Sequence, residues 1–191
     1  MNFSLPGYSI RRGSTLDKSL LVKFIQRTYQ ELFPAQDFSH LARTVEQYFS
    51  TDTPLWWVYE QAEAQEAGRG GAEEQRSRGE FTQSPVPDPQ SPIPSPQSPT
   101  PIACLWVGNA IDQVTGSRHA HIFLLYVVPS HRRHGIGKAL MQYIENWAKQ
   151  RGDRQLGLQV FESNTPALNL YQQLGYQTQS LWMIKSLHPE K

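Results

Sequence analysis

The chain has 191 residues, with 18 Lys or Arg against 17 Asp or Glu, a formal net charge of +1 and one cysteine. The two signs are interleaved, so no broad field exists to hold a polyanion, which argues against nucleic-acid and acidic-membrane partners. One cysteine cannot close an internal disulfide, no apolar run approaches the ~18 residues of a membrane span, and the opening MNFSLPGYSIRR lacks a signal-peptide core. A soluble, cytoplasmic protein is expected.

Tyr8 to Arg12 read as a first strand. Ser14 and Thr15 can cap a helix that turns Leu16, Leu20, Phe24, Tyr29 and Leu32 toward a core and ends before Pro34. Ser39 can cap a second helix with Leu41, Val45, Tyr48 and Phe49 on its apolar side. Leu55 to Glu60 (LWWVYE) is a β-rich run. Residues 62 to 100 change character: Phe81 is the only aromatic, glycines loosen the first half, and eight prolines fall between 85 and 101. Such a stretch cannot bury enough surface to offset its ordering entropy, so a disordered insertion in a single domain is expected, polyproline-like in its second half. A solvated loop is the bland account of it and recognition of its proline segment the sharper one. Without it, LWWVYE and Ile102 to Ile111 become neighbours, most simply a hairpin. Cys104, inside IACLWV, reads as a buried strand residue. His119 to Val128 make the next strand, stopped by Pro129 and Ser130. A helix follows with Ile136, Leu140, Ile144, Trp147 and Ala148 on one side and Gly152 at its end. Leu156, Leu158 and Val160 alternate as a strand does. Thr165 and Pro166 read as the N-cap and first-turn proline of a last helix closed by Gly175, and Tyr176 to Leu187 as a small closing hairpin. The order gives an α/β chain, a mixed sheet with helices on both faces.

The junction at 129 to 140 is the most informative stretch. Gly135 and Gly137 leave the free N–H groups of a helix start uncovered, where the helix dipole favours an anion such as a diphosphate. A P-loop is excluded, because Arg132 stands where its first glycine belongs and Ala139 follows Gly137-Lys138. A dinucleotide fingerprint is excluded as well, since Leu140 occupies its third glycine position. What remains, Arg132-x-x-Gly135-x-Gly137, resembles the acetyl-CoA loop of the GNAT superfamily of N-acetyltransferases. A second block, LGLQVFESNTPALNLYQQLGYQ (156 to 177), is similar to that family's strand, asparagine loop, helix and "LY..LGF" ending, with Tyr176 in place of the phenylalanine. The resemblance covers about residues 102 to 187 in detail and 1 to 60 in outline.

The resemblance implies a mostly antiparallel sheet with a splayed parallel strand pair, and acetyl-CoA as co-substrate in the gap between them. Arg132, Arg133, His134, Gly135, Ile136, Gly137 and Lys138 would supply loop contacts to its diphosphate, with Arg132 better suited to bonds within the loop. Val127 and Val128 would pair with the pantetheine amides through their backbones, and Asn164 would either meet that arm or cap its helix. Tyr171 matches the tyrosine that protonates the departing thiolate in many relatives, the alternative being a core aromatic. For the base that frees the amine, His121 is the candidate, with His119 and then Glu162 as substitutes; plain half-buried histidines are the alternative. His131 and His134 have no metal-ligand companions at useful spacing, so no metal is expected. The implied activity is acetyl transfer to a primary amine of a small molecule or peptide, without an acyl-enzyme. A catalytically idle acyl-CoA-binding module and a transferase for another acyl-CoA stay open, as does a homodimer. The acceptor wall would come from Phe33 to Phe38 and from Ser180 to Met183, both apolar to neutral.

Overall fold

The structure, a computed structural model, describes residues 3–61 and 99–187. Most of the expected insertion lies outside the described residues. The elements run β1 (Tyr8–Arg12), α1 (Lys18–Leu32), α2 (Leu41–Tyr48), β2 (Leu55–Glu60), β3 (Ala103–Ile111), β4 (Arg118–Val127), α3 (Ile136–Gln150), β5 (Leu156–Leu158) and α4 (Thr165–Gln173). The strands lie side by side in chain order. Every pairing is antiparallel except the last, where β4 and β5 run parallel. The β2–β3 hairpin forms directly, with Val58 opposite Ala103 and the Ile102 N–H donating to Val58 O at 2.8 Å.

Alternation along β2 and β3 divides the core. Leu55, Trp57, Cys104 and Trp106 meet Leu21, Phe24 and Ile25 of α1 and Leu41 and Val45 of α2 on one face. Trp56, Val58, Ala103, Leu105 and Val107 meet Ile136, Leu140, Met141 and Ile144 of α3 on the other. The middle strands are therefore apolar on both faces, as a sheet covered on both sides requires. Each fully buried large side chain, such as Phe24 or Trp57, stabilises by about 2 kcal/mol. Cys104 is wholly buried and burial pushes its thiol up, so it is no nucleophile.

Several local expectations are corrected. Leu16 is exposed, because Ser14 and Asp17 form a capping box around a 3₁₀ turn that precedes α1 and rotates the buried face to Leu21, Phe24 and Ile25. Tyr48 lies half exposed on α2. Ser39 does not cap α2: its hydroxyl and N–H both donate to Asp37, and the cap position falls on His40. At α4 the cap is Asn164, not Thr165. No strand forms between Tyr176 and Leu187, and Leu181, Trp182, Met183 and Ile184 stand exposed. That segment has four contiguous apolar residues instead of alternation and no turn dipeptide to fold it into two strands. Among the described residues no helix is long and apolar enough to cross a membrane.

Candidate active site

The site begins where β4 and β5 part. Their pairing covers only Ala120–Leu156, His121–Gly157 and Ile122–Leu158, while β4 continues to Val127. Val160, expected in the strand, lies beyond the end of β5. The parting starts at a β-bulge. Trp106 faces Leu124 and Val107 faces Ile122, so β4 carries one extra residue, Phe123. Its ring lies across Gly108, where any Cβ would collide with it, and stacks edge-on with Trp106 at 5.0 Å. The extra residue inverts the parity of the strand. Ala120 and Ile122 face α3 before it, and Leu125 and Val127 do so after it, with Leu124 and Tyr126 facing α1. The Val128 N–H donates to Ile102 O at 2.9 Å. By antiparallel alternation, Leu125 and Val127 then turn their backbone groups into the gap. Such an edge can accept an extended amide chain as a further strand.

At the top of the gap the chain makes a 3₁₀ turn over Pro129–His131 and enters α3 through two left-handed residues, Arg133 at φ +68 and Gly135 at φ +83. Among the described residues no side chain caps α3, and its first bond from the N-terminus runs from the Ala139 N–H to Gly135 O at 2.9 Å. The N–H groups of Ile136, Gly137 and Lys138 precede that bond and point out of the helix start, a place suited to an oxyanion. The Ile136 side chain is buried in the core, so only its backbone reaches the loop surface. Arg132 aims its Nε at Val127 O, 2.9 Å away, and its Nη2 at Glu31 on α1. Arg133 and Lys138 are exposed, and His134 bonds the Tyr8 hydroxyl at 3.3 Å.

α4 closes the α3 side. Leu170 Cδ2 would lie 3.2 Å from a Cβ on Gly137, so the glycine lets α4 approach the start of α3. Asn164 accepts the Ala167 N–H at 3.3 Å, which is the capping role. Tyr171 packs in the α3-side core, 5.8 Å from the Tyr176 ring, and burial raises its hydroxyl pKa. That hydroxyl has no hydrogen-bond partner among the described residues.

On the opposite face, His119 and His121 lie over Gly157, whose Cβ would come within 3.1 Å of His119 Nε2 and 3.2 Å of His121 Nδ1. Gln155 Nε2 donates to Asp112 Oδ2 at 2.7 Å and meets His119 Nδ1 at 3.2 Å. Since the carboxylate can only accept, that nitrogen is an amide NH₂ and His119 keeps its proton on Nε2. Burial, then the neighbouring His119, lowers the pKa of His121. Beyond β5, Phe161 packs edge-on against Tyr29 at 5.9 Å and Phe33 at 5.2 Å. Ser180 to Met183, expected in the same wall, are exposed instead.

The sequence profile of the acetyltransferase (GNAT) family matches residues 22–176. The chain belongs to the GNAT family. It is 44% identical over 52 residues to the peptidyl-lysine N-acetyltransferase YiaC of Escherichia coli K12, covering 27% of this chain and 32% of that protein. It is 37% identical over 67 residues to the E. coli K12 ribosomal protein bS18-alanine N-acetyltransferase, covering 35% and 45%. The chain thus spans less than half the length of these curated relatives. A predicted acetyltransferase from Clostridium acetobutylicum, solved with acetyl-CoA, superposes with a TM-score of 0.61 at 16% identity, over 94% of this chain and 96% of that one. At that identity the likeness speaks for the fold alone. In this GNAT chain the loop Arg132 to Lys138, the end of β4 and α4 come together around the gap, while His121 lies across the sheet, lower on β4. Leu125 was missed by the sequence reading, although moving back two residues from Val127 along a strand leads to it. Among the described residues no group of three His, Cys, Asp or Glu is placed to hold a metal ion.

Proposed function

We propose that this GNAT chain moves an acetyl group from acetyl-CoA to a primary amine of a small molecule or peptide, by direct attack of the amine on the thioester in a ternary complex. One observation carries the reading: the free edge of β4 at Leu125 and Val127 leads directly to the uncapped start of α3. That edge suits the pantetheine amides, and the N–H groups of Gly135, Ile136, Gly137 and Lys138 suit the diphosphate. Val128, expected to pair with that arm, stands just past the end of β4 with its N–H given to Ile102 O, so it holds the edge in place instead of pairing; Arg133 and His134 contribute through the loop surface. Asn164 keeps its NH₂ group for an amide carbonyl while its oxygen caps α4.

The sheet separates the two proton-handling groups, and this supports their assignment. Tyr171, on the α3 side, stays protonated at neutral pH because burial raises its pKa, and gives its proton to the departing thiolate. His121, on the α1 side, is neutral at the same pH because burial lowers its pKa, and takes the amine proton directly or through water. His119 is the second candidate, because its Nδ1 is already occupied by Gln155. The acceptor wall is then Tyr29, Phe33 and Phe161. Peptides carrying a lysine or a free α-amine and a set of small amines, screened with acetyl-CoA for release of free thiol, test the reading. Thiol release with any of them is expected. Binding of acetyl-CoA without turnover on the whole panel would favour an idle acyl-CoA-binding module, and turnover only with longer thioesters another acyl donor.

A further inference from the structure

Glu31 stands on α1, far in sequence from the loop, yet both of its carboxylate oxygens are committed to it. Tyr126 Oη donates to Oε1 at 2.6 Å, and Arg132 Nη2 to Oε2 at 2.5 Å. The Arg132 guanidinium also lies over the Tyr126 ring, 5.5 Å from its centroid, and its Nε holds Val127 O. Burial, and then Glu31, push the Tyr126 hydroxyl up to about 12, so it remains a donor. Arg132 is in this way fixed on three sides at the point where β4 ends. The next residue, Arg133, is left-handed without being glycine, and Gly135 is left-handed as well. A non-glycine residue persists in that conformation only where its neighbours determine it. The main-chain bonds into this turn from upstream, His131 N–H to Val128 O at 3.0 Å and Arg132 N–H to Pro129 O at 3.2 Å, stop at Arg132. Beyond them Arg132 is held by its side chain, and among the described residues Glu31 supplies the one full charge that meets it.

We propose that Glu31 is a positioning residue for the diphosphate: it holds Arg132, and through it the turn that aims the loop amides. The inference rests on the reading of the loop as the acetyl-CoA site. It also ties the two sides of the reaction together, since the helix that carries Glu31 presents Tyr29 to the acceptor wall, with Phe33 just past its end. Glutamine at 31 keeps the length of the side chain but has a single acceptor oxygen and no charge, so it cannot hold both donors as the carboxylate does.

Calorimetric titration of the full chain with acetyl-CoA tests this, on the parent, Glu31→Gln, Arg132→Met and the double variant. Glu31→Gln should raise the Kd roughly three- to tenfold, the modest factor expected of a half-exposed ion pair, and raise KM for acetyl-CoA with kcat at saturation unchanged. The double variant should bind no more weakly than Arg132→Met alone, because both changes remove one linkage. Tyr126→Phe, which frees Oε1 and leaves the charge in place, should weaken binding in the same direction by a smaller factor. A Glu31→Gln Kd equal to or tighter than the parent's, or effects that multiply in the double variant, would overturn the role of Glu31. A parent that binds no acetyl-CoA would overturn the reading of the loop, and this inference with it.

Discussion

At the scale of single residues, two side chains on opposite faces of one sheet have their pKa values moved in opposite directions by the same cause, burial. Tyr171→Phe removes only the hydroxyl, so turnover should drop by roughly 10²-fold, as for a lost general acid, with acetyl-CoA affinity nearly unchanged. In the parent, kcat/KM should fall on the acid side with a limb below 6.5, the ordinary histidine value from which His121 is lowered; His121→Ala should lose that limb. Steady-state kinetics across pH measures both, and parent-like profiles in both variants would remove these roles. Asp112 behaves differently. The Thr115 N–H first, and then Gln155, lower its carboxyl from 3.8 to about 2. Its ionised form is the one the fold favours, so its contribution to stability is complete above about 4 and is lost as the pH falls toward 2. The Tm gap between the parent and Asp112→Ala should therefore be widest near neutrality and shrink below pH 4 in thermal scans. The two histidines over Gly157 were legible as residues, but their separate surroundings were not, because Gln155, held by Asp112, reaches His119 from another part of the chain.

At the scale of elements, the strands, the four helices and the glycine loop were legible because each carries its own period or punctuation: alternation in LWWVYE, the 3.6-residue spacing of Ile136, Leu140 and Ile144, and Gly152 and Gly175 in left-handed turns where the sequence places helix ends. The place of the bulge, at Phe123, was not. In IFLLYVV every position is apolar, so nothing in the run marks which residue lies outside the ladder; the large ring needs Gly108 on the neighbouring strand, a match between strands that no local pattern displays. The three-residue length of β5 and the unformed closing hairpin escaped for a related reason, since both depend on what the neighbouring strand offers. The start of α3 yields a test with two opposite signs. Lys138 is the third residue of that helix, and a carboxylate there can reach back to the cap N–H groups. Lys138→Glu should leave the Tm of the free protein unchanged or slightly higher while reducing the acetyl-CoA-induced rise, which stands at about 2.7 kcal/mol at a hundredfold excess over Kd. A thermal shift assay reads both, and an undiminished rise would count against the loop as the diphosphate site.

At the scale of the whole molecule, β2 and β3 pair directly on either side of residues 62–98. Val58 and Ala103 are already opposite one another, and the Gln61 N–H is bonded to Gly7 O at 2.8 Å. Replacing residues 62 to 98 with a short Asn-Gly turn should leave Tm and acetyl-CoA binding near those of the parent, because closing a longer loop costs only about 0.6 kcal/mol per doubling of its length. A variant that fails to fold would give that segment a structural role. The gap between β4 and β5 has a consequence in hydrogen exchange. Along one strand, Tyr126 and Val128 turn their amides to β3 and should exchange slowly, while Leu125 and Val127, facing the gap, should exchange within the dead time of an ordinary experiment. Acetyl-CoA would slow the second pair and leave the first almost untouched, so that alternate amides along one stretch of chain would record whether the site is loaded.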